Sequence, residues 1–308
     1  MNGLRKLERD FAHADKTAVT GLLAQLRPED ALTRLGLESR LRELDRDIAR
    51  MSTPQNEPTA SAALFFGGKP VIGTRGVESE FASEAIGKFQ DMVAKVLAHE
   101  TSGLGQRGTV ANKGESTLHI TRIVRGSFGF LLEEIQPQEE IVDTKLKAAV
   151  QEATRLLDAF REPNEEQFRS AVETIDERLL GTARDFFELM RSSGATLRLV
   201  AGDTDLSFGA EAVSRAVERA ATTKVEEREE VVFGQLAGVL PDAHQFEFRT
   251  STERGVIRGR VDRAITSDRL TEFNRQLVNV DATARMRVKR VFHKDAVVRE
   301  NFVLLSLG

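Results

Sequence analysis

Five short segments towards the C-terminus decide the fold: VVFGQLAGVL (residues 231–240), HQFEFRTS (244–251), GVIRGRV (255–261), ARMRVKRVF (284–292) and NFVLLSL (301–307). Each alternates apolar and polar residues. In ARMRVKRVF the basic Arg285, Arg287 and Lys289 fall on one side of an extended chain, opposite Met286 and Val288, as a side-chain period of two requires. Turns or one polar helix, over 268–277, separate the segments. Five strands at this spacing predict a small closed or nearly closed β-barrel of the SH3 or OB kind over 228–308. Gly234, Gly238, Gly255 and Gly259 allow the bends that closure needs.

Upstream the periodicity changes. In residues 1–51, Leu4, Leu7, Phe11, Leu22, Leu23 and Leu26 open an apolar stripe, and Pro28 interrupts it. Leu37, Leu41, Leu44, Ile48 and Met51 then recur at steps of four, three, four and three. That is an a/d seam of about two heptads, which either packs on its own domain or joins two chains. Residues 52–61 read as a linker.

Residues 62–134 read as a ββ-α-ββ unit. ALFFGGKPVIG is a strand, a Gly67-Gly68 turn and a second strand that Pro70 confines to an edge. A helix follows over 79–99. A second hairpin turns near Arg125-Gly126-Ser127 and puts Phe128, Phe130 and Leu132 on one face. Residues 141–222 read as a long helical hairpin, whose second arm Asn164 caps, followed by the strand TLRLVAG and a helix over 210–222. The fold class is therefore α+β.

Composition excludes chemistry more firmly than any motif suggests it. The chain has 308 residues, 40% of them apolar and 30% charged, and no cysteine, tryptophan or tyrosine. Disulfides, thiolate nucleophiles and Cys-ligated metals are thereby excluded. No apolar run reaches the ~18 residues of a membrane span, and the N-terminus lacks a secretory pattern, so the expected compartment is a bacterial-type cytoplasm, without membrane contact. Gly103–Gly108 spells GxGxxG, but it follows a helix and leads towards a strand, the reverse of the dinucleotide fingerprint. Residues 125–130 depart from the RNP1 pattern of RNA-recognition strands by the extra Ser127 and an acidic end. Asp143-Thr-Lys145 falls on a helix rather than at a nuclease strand. His13, His99, His119, His244 and His293 are scattered, with no metal-ligand spacing. No catalytic residue, metal site or cofactor is assigned.

Two surfaces remain. Net charge is −4 overall, yet residues 231–308 hold thirteen Lys and Arg against nine Asp and Glu. Arg249, Arg258, Arg260, Arg285, Arg287 and Lys289 could track a phosphate backbone if they share a face, with Phe246, Phe248, Phe292 and Phe302 as candidate stacking rings. The alternative is a solvated face balanced by nearby carboxylates. The leading expectation is a non-enzymatic, self-associating interaction or regulatory protein built on the 37–51 seam. It is a homo-oligomer that also admits a protein partner. The second is a nucleic-acid-binding subunit of a larger complex, and the third an enzyme with an unfamiliar site.

Overall fold

A computed structural model describes residues 3–27, 30–52, 57–101, 113–124, 128–136, 142–173, 175–251 and 254–308. The α+β class and the closed C-terminal barrel are both observed. In chain order the elements begin with α1 (Gly3–Gln25), α2 (Ala31–Ser52), β1 (Ser61–Gly68), β2 (Val71–Ile72), β3 (Gly76–Val77) and α3 (Ser79–Thr101). Next come β4 (His119–Val124), β5 (Phe128–Glu133), α4 (Lys145–Arg161), α5 (Glu165–Val172), α6 (Glu177–Ser192), β6 (Ala195–Ala201), β7 (Thr204–Phe208) and α7 (Ala210–Thr222). The last are β8 (Thr223–Leu240), β9 (Gln245–Thr250), β10 (Val256–Val261), α8 (Ser267–Gln276), β11 (Asp281–His293) and β12 (Ala296–Leu307). They form two compact units, one from Met1–Pro163 with Arg178–Ala220, the other from Asn164–Glu177 with Ala221–Gly308.

The first unit is built on an antiparallel sheet in the order β4-β5-β1-β6-β7. The 61–72 stretch is not a hairpin: β1 lies at the centre, paired with β5 and β6, while β2 pairs with β3. The reason is burial. Residues 62–66 are all enclosed, and a strand buried on both faces needs a neighbour on each side. Phe66, Leu197 and Phe208 stand side by side across β1, β6 and β7. From there ring contacts run Phe208 to Phe187 of α6 and on to Phe160 of α4. Phe66 also meets Phe81 of α3 edge-on. The opposite face, with Ala63, Phe65, Leu131 and Val200, is met by Phe11 of α1. Phe128 and Phe130 share the face of Phe66 and contact one another there.

The second arm of the helical hairpin is not one helix: α5 ends at Val172 and α6 begins at Glu177. Phe168 and Val172 of α5 are buried in the second unit, whereas Leu180, Ala183, Phe186 and Met190 of α6 are buried in the first. One straight helix would have to serve both cores with a single stripe, so the chain breaks between them. Asn164 caps α5, accepting from the backbone N–H groups of Glu166 and Gln167.

The second unit is a barrel with the cyclic order β10-β12-β11-β8-β9. All pairs are antiparallel except β10 with β12, and α8 lies between β10 and β11. Numbered from β8, the strands run 1-2-3-5-4 around the barrel with a helix between 3 and 4. This is the Greek-key order of an OB-type barrel, and it selects that branch of the sequence expectation. Glycine is required where strands press together. A Cβ on Gly234 would stand 2.0 Å from the Arg249 carbonyl oxygen, and one on Gly259 would stand 2.2 Å from that of Phe302. Phe246, Phe248, Leu236, Met286, Val288 and Leu304 fill the interior.

Candidate functional site

The six basic residues of the barrel do not form an open cationic face. The strand β8 begins at Thr223, upstream of the segment legible by alternation, and its first half carries Glu226, Glu227, Glu229 and Glu230. Antiparallel register lays that acidic half along the basic half of β11, with Glu227 opposite Lys289 and Glu229 opposite Arg287. Arg285 donates to Glu229 at 2.8 Å, and Arg287 lies 3.3 Å from Glu227 and 3.7 Å from Asp262. Arg258 meets Glu247 across the β9–β10 pair at 3.1 Å. Lys289 is half-buried; burial pushes its pKa down, while Asp176 and Glu227 pull it back up. Of the six, Arg249 and Arg260 alone have no carboxylate partner among the described residues, and Arg249 donates to the Asn279 side chain at 3.3 Å. Exposed pairs of this kind add ~0–1 kcal/mol each to stability. Each pair also sets a negative charge beside the positive one, which weakens the local positive field.

The stacking rings also differ from expectation. Phe246 and Phe248 are inside the barrel, Phe302 is packed against its core, and Phe292 is half-buried. The exposed aromatic is Phe233, at 61% exposure, with Val231 beside it on β8 and Val256 on β10 also exposed. The signal was present in VVFGQL: with Val232, Gly234 and Leu236 turned inward, Val231 and Phe233 must face out. Alternation shows the two sides of a strand; only the barrel shows which side is in.

The a/d seam lies within a helical hairpin. Helix α2 packs on α1, tied by Lys16 to Asp45 at 2.6 Å and by Arg40 to Asp15 at 3.5 Å. Leu44 is buried, and Leu37, Leu41 and Ile48 are half-buried. The side chain of Met51 lies outside the described residues, as do Gly103–Gly108 and the turn 125–127. Near the connection between the two helices, Leu22 and Leu35 are exposed, and Leu32 is 87% exposed.

The first unit also holds a cleft of about 580 Å³ whose polar lining includes Glu115, His119, Glu134, Asp143, Thr144 and Lys145. Its central carboxylates serve the fold. Glu134 accepts from Thr144 Oγ1 at 2.6 Å and from the backbone N–H of Ala60 at 2.8 Å, and Asp143 holds Lys147 at 2.8 Å. Thr144 is itself the N-cap of α4. No group of three His, Asp or Glu side chains suited to a metal occurs among the described residues, and no helix among them is long and apolar enough to cross a membrane. No family model, curated protein or solved structure matches the chain.

Proposed function

We propose that the protein is a non-enzymatic interaction protein that self-associates through the α1–α2 hairpin, with a second copy of the chain as the occupant. One observation carries this reading: leucines Leu22, Leu32 and Leu35 stand uncovered at one end of a hairpin whose own seam is only partly enclosed. Two paired helices bury one stripe and leave the outer flanks of their apolar positions open. Two such hairpins can cover each other as a four-helix bundle. Charge supports a second copy, since residues 1–51 hold ten Lys and Arg against nine Asp and Glu, so like chains do not repel. The test is native mass by light scattering, for the wild type and a Leu32→Glu/Leu35→Glu double variant. The wild type should run as an oligomer and the variant as one chain, with unchanged circular dichroism because neither leucine supports the monomer. A wild type that is monomeric at about 50 µM, well above the micromolar range of a weak specific association, refutes the reading.

A second reading, a nucleic-acid-binding subunit, is supported by Phe233 on the outer face of an OB-type barrel, with Arg249 on the neighbouring strand β9. It relies on base stacking, which contributes ~1–3 kcal/mol per base, rather than on the paired arginines. Because the chain lacks tryptophan and tyrosine, co-purified nucleic acid would dominate its ultraviolet spectrum before a high-salt wash. Phe233→Ala should weaken single-strand binding about tenfold; equal binding by the variant removes this reading.

A further inference from the structure

One helix of the barrel unit is fastened by a buried histidine. The α5 segment leaves the first unit after Pro163, packs in the second unit, and returns before Arg178. His293, at the end of β11, is fully enclosed, and the Phe168 ring of α5 meets it edge-on at 4.9 Å. Its Nε2 lies 2.7 Å from Glu165 Oε1, in the first turn of α5. Its Nδ1 lies 3.1 Å from Thr223 Oγ1 and 3.4 Å from Thr222 Oγ1. A carboxylate can only accept, so Nε2 carries the hydrogen, and Nδ1 is left to accept from the threonine hydroxyls. Both ring nitrogens are thus satisfied by the neutral imidazole.

We infer that His293 and Glu165 form an acid-opened latch that fastens α5 to the barrel unit. The charged groups around the ring come from both elements packed on it: Glu165 and Arg169 from α5, and Lys294 from the β11–β12 turn. Lys294 lies 3.4 Å from the same Glu165 oxygen. Further along, Glu173 meets Arg299 at 3.6 Å and its carbonyl accepts from Asn301 at 3.3 Å. Burial pushes the His293 pKa below its ordinary 6.5; Glu165 pulls it up, and Lys294 and Arg169 push it down further. Above that ordinary value the docked and released histidines are both neutral, and docking has its full strength. Below it the released histidine takes up a proton and the docked one resists. Docking therefore weakens by up to tenfold per pH unit until the docked ring is protonated.

The test is hydrogen exchange of the full chain at about pH 7.5 and about pH 5.5, corrected for intrinsic rates, on either side of the histidine range. Protection of the α5 amides should fall several-fold at the lower pH, short of the roughly tenfold ceiling that the released histidine sets, while amides of β10 hold theirs. In His293→Gln, whose amide can still donate to Glu165, the pH response of α5 should vanish. Glu165→Gln, at a partly exposed position, should enlarge the fall, because the carboxylate tempers it. A wild type with constant α5 protection overturns the latch. So does a His293→Gln variant with the wild-type fall, or a Glu165→Gln variant with a smaller one.

Discussion

Replacing Arg219 with methionine tests the packing of the first unit at its most polar buried point. Arg219, on α7, is enclosed, and its guanidinium serves the last carbonyls of α4. Nη1 donates to Ala159 at 3.1 Å and to the Glu162 carbonyl, with Phe160 at 3.5 Å; Nη2 reaches Pro163 at 3.4 Å. The Ala159 and Phe160 carbonyls belong to the last turn of α4, where a helix end leaves acceptors without intrahelical partners, and those of Glu162 and Pro163 lie just beyond it. Arg215 supports the same end by donating to the Arg161 carbonyl at 2.7 Å. Methionine fills similar volume and donates nothing. Stranding a buried acceptor costs ~1–3 kcal/mol, so the two better contacts, to Ala159 and Glu162, imply a loss of about 3–5 kcal/mol. With a urea slope of about 2–3 kcal/mol/M, the midpoint should fall by about 1.5 M. The assay is helical circular dichroism against urea, since the chain has no tryptophan or tyrosine to report by fluorescence. Arg219→Lys should fall between the two, because an ammonium reaches fewer of the carbonyls at once. A methionine variant within ~0.5 kcal/mol of the wild type would show that these carbonyls do not depend on the guanidinium.

Two further changes probe the barrel. Gly259→Val should cost about 3 kcal/mol or more and open the β10–β12 closure, because its Cβ would meet the Phe302 carbonyl oxygen at 2.2 Å; a variant that unfolds like the wild type would contradict the close approach. Glu230 lies 2.6 Å from Arg290 and 2.9 Å from Arg254. Burial, its largest single influence, raises the Glu230 pKa, but the two arginines together outweigh it and hold the carboxyl below its ordinary 4.5. Its contribution to stability is therefore present above about pH 4.5 and lost as pH falls through the lower folded value. Glu230→Gln should flatten that part of the acid-unfolding curve, and an unchanged acid limb would show that the pair contributes nothing.

Much of this architecture was legible because it depends on local periodicity. Alternation marked the five barrel strands and the side of β11 that carries Met286 and Val288, and both residues are in the core. Asn164 announced the start of α5, since a side-chain oxygen there satisfies N–H groups only two and three residues away. Where partners are distant, the reading ran out. β1 took β5 and β6 as neighbours, the latter some 130 residues on, in place of the strand expected after Gly68. The hidden side of α5 gave no sign that its Glu165 would meet a histidine 128 residues away.

By itself, the sequence excluded cysteine chemistry and determined the class of fold, because residue types and their spacing along the backbone suffice for both. Which charges cancel, which aromatic ring faces water and which helix crosses to the other core were decided only by tertiary structure. An acidic run at 226–230 and a basic run at 285–290 look like separate patches on a line. Antiparallel pairing sets them a strand's width apart, with Glu226, Glu227 and Glu229 opposite Arg290, Lys289 and Arg287, and at that distance opposite charges act first on one another.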